Sequence, residues 1–259
     1  MTRSPLESAW HKYRWAQYHA QSVNSQLEGV FGADGDILTI NVEVNQAADE
    51  ATAIARIGRL PIIHERCGLA LGDAIHNYRS ALDHIAWNLV KIGRTPKPRK
   101  PKSVQFPMCN SGAEFKRAQP SRLPGVIKDQ VAVIRRYQPY VGGVRGTSIS
   151  RLNRLANMDK HRVLIPAVVT PAGYNIRVTS SWRHVRPPEF FIGNGRELKI
   201  NAKVMEAEFV RSGAGDCHVN VQGNLQIYPS LGRGLLVSKA LLQIGKTVLS
   251  VLESIEETL

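Results

Sequence analysis

The stretch LGDAIHNYRSALDHIAWNL at residues 71–89 decides the fold, because it predicts a long helix with two distinct sides. Apolar residues recur at alternating spacings of four and three, the period of a helix with one buried face. They are Leu71, Ile75, Tyr78, Leu82, Ile85 and Leu89. The opposite side carries short hydrogen-bonding groups, two imidazoles and a Trp, with no Lys, Glu or Gln from residue 68 to residue 90.

We therefore predict a helix over 62–92 whose polar side meets a cleft, an interface or a functional site. A purely structural network is the alternative. In that network Asp83 accepts hydrogen bonds from Arg79 and His76, one and two turns back.

The composition is that of an ordinary globular protein of 259 residues, large enough to bury a sizeable core. Its three cysteines, Cys67, Cys109 and Cys217, form no Cys-x-x-Cys pair, which argues against a disulfide framework and suits a reducing compartment. The first residues lack an apolar signal core, and no apolar run has the length of a membrane span. We expect a cytoplasmic protein that does not bind membranes.

The net charge of +13 is distributed very unevenly. Residues 84–188 contain twenty Lys and Arg against three acidic residues, a net +17, so the rest of the chain sums to −4. Such segregation favours a polyanionic partner. Nucleic acid is the first expectation, with RNA favoured, and an acidic lipid surface or acidic protein is the second.

The pattern along the chain predicts an α+β fold in a single domain, residues 1–259. Residues 1–162 are expected to be mainly helical with a β-hairpin at 36–58, residues 163–229 to form an antiparallel sheet, and residues 234–257 to return to the helical bundle. The expected helices are 5–27, 62–92, 124–137, 148–158 and 235–257. The expected strands are 37–44, 52–57, 163–169, 174–180, 197–209 and 219–228. We interpret the aromatic cluster of the first helix as core or subunit contact rather than a base-stacking platform; its members are Trp10, Tyr13, Trp15 and Tyr18.

Two basic segments are candidate phosphate contacts. The proline-interrupted run at 94–102 favours extended backbone and presents Lys97, Arg99, Lys100 and Lys102 to solvent. The run Asn157-Met-Asp-Lys-His-Arg162 follows a predicted helix, where side chains often project into a cleft. Cations at such a position can also simply cap the helix C-terminus.

The segment Arg79-Ser-Ala-Leu-Asp-His84 resembles the Arg-x4-His motif of HEPN-type helical proteins. That resemblance implies a HEPN-like helical bundle, here with an inserted β-hairpin and a C-terminal-half sheet. It also implies metal-independent cleavage of RNA and a homodimer whose protomers pool their motifs. A looser resemblance is to uncharacterised bacterial and phage proteins that combine a helix like Gly72–His84 with a later Asp-Lys-His-Arg, here Asp159–Arg162; it implies no particular activity.

The expected function is that of a metal-independent endoribonuclease without cofactor or metal. His84 is expected to be the principal acid or base, Arg79 to contact the phosphate, and Asp83 to orient one of them. His76 or His161 is expected to be the second proton carrier. The expected substrate-binding residues are Asn77, Asn157, Asp159, Lys160, Arg162, Lys97, Arg99, Lys100 and Lys102.

Two alternatives stay open. One is a non-catalytic nucleic-acid-binding protein in which the polar helix is structural. The other is a metal-dependent hydrolase that uses His76, Asp83, His84 and His161 as ligands.

Overall fold

The computed structural model describes residues 4–31, 38–93, 100–164, 166–169, 175–193, 197–224, 227–232 and 235–259. Its architecture is mixed α+β with antiparallel sheets, which confirms the predicted fold class at that level. The chain divides into two compact units. Unit 1 comprises residues 1–25, 65–164 and 238–259, and unit 2 comprises residues 26–64 and 165–237.

The helices within the described residues are α1 (Glu7–Phe31), α2 (Glu65–Ile92), α3 (Gly112–Arg122), α4 (Lys128–Arg136), α5 (Gly143–Asp159) and α6 (Val237–Glu256). Short 3-10 turns lie at Pro101–Ser103 and Pro139–Val141. None of the helices in the described part of the chain is long and apolar enough to cross a bilayer.

Helix α2 is the predicted long helix, and its apolar seam is fully buried. Helix α6 lies against it within the same chain, because a Cβ at Gly245 would be only 2.6 Å from the Tyr78 hydroxyl. A second close approach joins α2 to α5, where a Cβ at Gly72 would collide with the Asp159 carboxylate. Helices α2 and α6 therefore pack together within one subunit.

Helix α3 was not predicted from the sequence. It contains Pro120 and buries only Phe115, so it has no apolar period to detect. Its start is capped locally. The Ser111 hydroxyl accepts from the Glu114 amide at 3.1 Å, and the Glu114 carboxylate accepts from the Asn110 amide at 2.7 Å.

The strands are β1 (Thr39–Gln46), β2 (Glu50–Arg59), β3 (Ala167–Val169), β4 (Asn175–Ser180), β5 (Arg183–His184), β6 (Glu189–Phe190), β7 (Lys203–Val210), β8 (Val219–Asn224) and β9 (Tyr228–Ser230). A five-stranded sheet has the order β1-β2-β7-β5, with β6 also paired to β7. Strands β3 and β9 form one two-stranded sheet, and β4 and β8 form another. The core of unit 2 is built around Ile57, Trp182, Met205 and Phe209.

The sheet differs from the prediction in its connections and strand bounds. The β1–β2 hairpin is part of a larger sheet, since β2 pairs antiparallel with β7 from the later half of the chain. The expected strand at 197–209 begins only at Lys203, and the expected strand at 219–228 is divided into β8 and β9. Strand β1 lies at the edge of the sheet and is mostly exposed.

Candidate functional site

The polar side of α2 faces two different neighbours. At about 100° per residue, Arg79 and His84 are separated by roughly 140° around the helix axis. Arg79 contacts the segment at 106–108, whereas His84 lies on the side toward α1, where Lys12 influences it. The structure therefore does not place the two residues of the Arg-x4-His motif together in one chain.

The side of α2 toward α1 is a polar contact between two helices. Lys12 donates to the side-chain oxygen of Asn77 at 3.3 Å, and Asn77 donates to the Asp73 carbonyl at 2.9 Å. Burial and the neighbouring Lys12 ammonium lower the pKa of His84, against an opposing effect of Asp83. At the two ends of the contact, Asn88 donates to the Ser8 hydroxyl at 3.0 Å and His19 approaches Asp73 to 3.9 Å.

On the other side of α2, Arg79 is held by an internal network. Its Nε donates to Asp83 at 3.2 Å, one Nη donates to the Phe106 carbonyl at 3.3 Å, and the other contacts the sulfur of Met108. The Asp83 carboxylate also accepts from the Phe106 amide at 2.9 Å. Each nitrogen of the guanidinium thus has a protein partner, which is the arrangement expected of a structural residue.

This network borders a cavity of about 360 Å³ within unit 1. Helix α2, the segment around 105–108, the end of α3 and the last turns of α5 enclose it. The lining residues are His76, Arg79, Ser80, Asp83, Gln105, Met108, Arg122, Asn153, Ala156, Asn157, Asp159 and Lys160.

Several charged side chains line the cavity, and its cations differ in whether they form an ion pair. Arg79 is paired with Asp83. Among the described residues, Arg122 and Lys160 make no ion pair, and Lys160 only donates to Asn157 at 3.5 Å. Burial and the neighbouring Asp73 carboxylate raise the pKa of Asp159, and His76 partly opposes that rise. An anion with several oxygen atoms would find two cations and several amide groups here.

Six of the predicted site residues line this cavity: His76, Arg79, Asp83, Asn157, Asp159 and Lys160. His84 and Asn77 do not line it and face α1 instead. His161 and Arg162 are exposed after α5, and both of their amides donate to the Met158 carbonyl. Lys100 and Lys102 are exposed at the Pro101–Ser103 turn. Lys97 and Arg99 lie outside the described residues.

Six cavity residues were not among the predicted site residues: Ser80, Gln105, Met108, Arg122, Asn153 and Ala156. Arg122 ends a helix that carries no apolar period, and Gln105 lies in an irregular segment. Asn153 was within a predicted helix, one turn before Asn157, and this i, i+4 spacing could have placed it on the same face.

The two units differ strongly in net charge. Unit 1 holds 24 Lys and Arg against 10 Asp and Glu, a net +14, whereas unit 2 holds 10 against 11, a net −1. Exposed cations are numerous on α3 to α5: Lys116, Arg117, Lys128, Arg135, Arg136, Arg145 and Arg154. The cavity therefore belongs to the unit that carries the whole positive excess.

No group of three or more His, Cys, Asp or Glu side chains in the described part of the chain is arranged to hold a metal ion. Comparison of the chain with family models, with curated proteins and with solved structures finds no significant match.

Proposed function

We propose that this protein binds nucleic acid through unit 1, with RNA as the favoured ligand, and that the cavity beside α2 receives one backbone phosphate. The observation that carries the proposal is the cavity itself, where Arg122 and Lys160 lie with three side-chain amides and the Asp159 carboxyl in a unit of charge +14, and the other carboxylate, Asp83, is paired with Arg79. Cationic side chains in such a position supply affinity for phosphate regardless of base sequence. The exposed cations of α3 to α5 would contact neighbouring phosphates.

Salt-dependent binding tests this proposal. The affinity of full-length protein for a fluorescently labelled single-stranded RNA is measured by anisotropy between 50 and 200 mM salt, for the wild type and for Arg122→Gln/Lys160→Gln. Each lost phosphate contact lowers the slope of log affinity against log salt by about 0.7 for a single strand. Because the cavity is proposed to receive one phosphate, we expect the double variant to lose about 0.7 units of slope.

A matched control separates the cavity from general charge. Lys239 and Lys246 are exposed on α6, and neither lines the cavity. The variant Lys239→Gln/Lys246→Gln removes the same charge and is expected to retain the slope of the wild type. An equal loss of slope in both variants, or no binding by the wild type, would contradict the proposal.

Metal-independent cleavage of RNA is a second candidate, favoured by the presence of His76 and Asp159 on the same cavity. His76 would take the proton from the 2′-hydroxyl and return it to the leaving 5′-oxygen, with the neighbouring Asp159 carboxylate stabilising the imidazolium that forms in between. Arg122 and Lys160 would stabilise the charge that develops on the phosphate. This assignment differs from the role first expected for His84, which does not line the cavity.

Cleavage is tested by incubating RNA with purified protein in excess EDTA. Product that is lost in His76→Gln and retained in His84→Gln would support cleavage at the cavity. Product that is lost in His84→Gln and retained in His76→Gln would favour the HEPN-like mechanism with motifs pooled between protomers. Binding without product in any condition would leave the protein as a non-catalytic binder.

The HEPN-like bundle and the homodimer remain part of this proposal. They are supported by the position of Arg79–His84 on a buried helix of a bundle and by the exposure of part of the α2 polar side. Light scattering on the wild type measures the oligomeric state directly, and a monomer at the concentrations of the cleavage assay would contradict the pooled-motif arrangement.

A further inference from the structure

Two aromatic side chains of α1 are exposed, although the aromatic cluster of this helix was expected to lie in the core or in a subunit contact. Trp15 is 55% exposed and Tyr18 is 58% exposed, whereas Trp10 and Tyr13 are more buried and engaged by neighbours. The Trp10 indole donates to Glu256 at 2.6 Å, and the Tyr13 ring lies 6.1 Å from that of Tyr78. Trp15 and Tyr18 are therefore not part of the core of this chain, and a subunit contact at these two residues stays a prediction.

The exposed pair is rigidly arranged. The two rings stack, with centroids 5.1 Å apart and planes inclined by 14°. The His19 ring meets both of them edge-on, at 5.3 Å from Trp15 and 5.4 Å from Tyr18. Since His19 also approaches Asp73 of α2 to 3.9 Å, the pair is supported from the body of the bundle. A preformed aromatic surface loses little side-chain entropy on binding.

The pair also has a defined position relative to α2. Ser8 meets Asn88 and His19 meets Asp73, so α1 runs antiparallel to α2. Trp15 and Tyr18 consequently lie level with the part of α2 between Asp73 and Asn88. His76 and Ser80 of the cavity belong to that same part of α2.

We infer that Trp15 and Tyr18 form a stacking site for unpaired bases, so that the preferred ligand of unit 1 is single-stranded rather than double-stranded RNA. The inference rests on the proposed nucleic-acid function. A flat π-face accepts any base, but only when the base is not already stacked within a duplex. The charge of the unit favours this occupant over an apolar one, because the exposed Arg14 lies one turn before Tyr18 and unit 1 carries +14.

The test compares two ligands of equal length, a 12-nucleotide oligoadenylate and a 12-base-pair RNA duplex, both labelled for anisotropy. Stacking of one base on an aromatic side chain contributes about tenfold in affinity. For Trp15→Ala/Tyr18→Ala we expect affinity for the single strand to fall at least tenfold and affinity for the duplex to change less than about twofold. The variant Leu242→Ala removes an equally exposed apolar side chain from α6 and should change neither affinity.

Tryptophan fluorescence supplies a second readout. A base stacked on Trp15 should quench part of the emission, and the variant Trp15→Phe should lose that quenching while it retains binding. Circular dichroism and the melting temperature of each variant establish that the fold is retained.

The possible outcomes distinguish the stacking site from the phosphate-binding cavity. Unchanged affinity of Trp15→Ala/Tyr18→Ala for the single strand would overturn the stacking site. So would a shift from dimer to monomer in light scattering with RNA affinity unchanged, because the pair would then be a subunit contact. Loss of single-strand binding in this variant, with no effect of Arg122→Gln/Lys160→Gln, would support the stacking site and overturn the phosphate-binding cavity. Absence of any RNA binding by the wild type would overturn both.

Discussion

Removal of the Asp83 carboxylate tests whether the polar side of α2 is structural. The carboxylate accepts from the Phe106 amide at 2.9 Å and from the Arg79 guanidinium at 3.2 Å. The Asp83 side chain is 32% exposed and that of Arg79 is 18% exposed. In Asp83→Ala both donors lose this acceptor in a mostly buried position. Hydrogen bonds to charged groups contribute about 1.5–3 kcal/mol each, and partial access of water reduces that contribution by roughly half, which leaves a loss of about 1.5–3 kcal/mol for the two bonds together.

The free energy of unfolding is measured by urea titration of the full chain, followed by circular dichroism at 222 nm. Helices α2 to α5 and nearly all of α6 lie in unit 1, so the helical signal reports mainly on that unit. Glu257→Ala removes an exposed carboxylate beyond the end of α6 and serves as the control, with an expected change within about 0.5 kcal/mol.

A double-mutant cycle identifies the partner. If Asp83 acts through Arg79, the combined variant Asp83→Ala/Arg79→Leu will lose less than the sum of the single variants, because each single change leaves the other group without its charged partner. A loss below about 0.5 kcal/mol for Asp83→Ala, with additive effects in the cycle, would refute the structural interpretation and return both residues to the list of functional candidates.

Three further predictions concern close packing and charge. Gly146→Ala should destabilise the protein by about 1–3 kcal/mol, because the new Cβ would lie 2.8 Å from the Gln138 carbonyl oxygen, a backbone atom that cannot move aside as a side chain can. Gly29→Ala, also in a helix but with open space at its Cβ, should be neutral or stabilising, and equal losses in the two variants would contradict the packing argument. The pKa of His84 is lowered from its ordinary 6.5 mainly by burial, so the unfolded chain takes up the proton first as the pH falls below that value. The melting temperature of the wild type should therefore drop more between pH 7.5 and 5.5 than that of His84→Gln; parallel curves would show that His84 is not responsible. The pKa of Asp159 is raised mainly by burial, so its ionised form is disfavoured in the fold. Asp159→Asn should then raise the melting temperature at pH 7, by an amount that shrinks as the pH falls through the folded-state pKa toward the ordinary value of 3.8, and a lower melting temperature at pH 7 would contradict this.

The long helix could be predicted from the sequence because its apolar period is complete over six positions. The sequence did not allow us to predict that the polar side of this helix faces two different neighbours. Arg79 and His84 both fall within the predicted polar arc, and only the packing of α1 on one side and of residues 106–108 on the other separates them. That separation depends on contacts between segments distant in the chain, which periodicity does not encode.

The cavity was only partly predictable for a related reason. Residues His76 and Asp159 were found through two polar runs, each unusual in composition. Arg122 was not, because α3 has a proline within it and a single buried apolar side chain. A helix with one buried aromatic side chain and a local cap has little pattern to recognise, so sequence analysis does not place the cation at its end beside the cavity.

The polar side of α2 can stabilise the fold and shape the proposed site at the same time. Arg79 and Asp83 fasten the segment around Phe106, and the same segment supplies Gln105 and Met108 to the cavity. A network that stabilises the fold therefore also shapes the proposed phosphate site. The two roles predict different effects of substitution on stability and on RNA affinity. Loss of Asp83 should lower stability and RNA affinity together, whereas loss of Arg122, which has no ion pair among the described residues, should lower affinity alone. A variant of Arg122 that destabilised the protein as much as Asp83→Ala would place it in the network and remove the main support for a phosphate site.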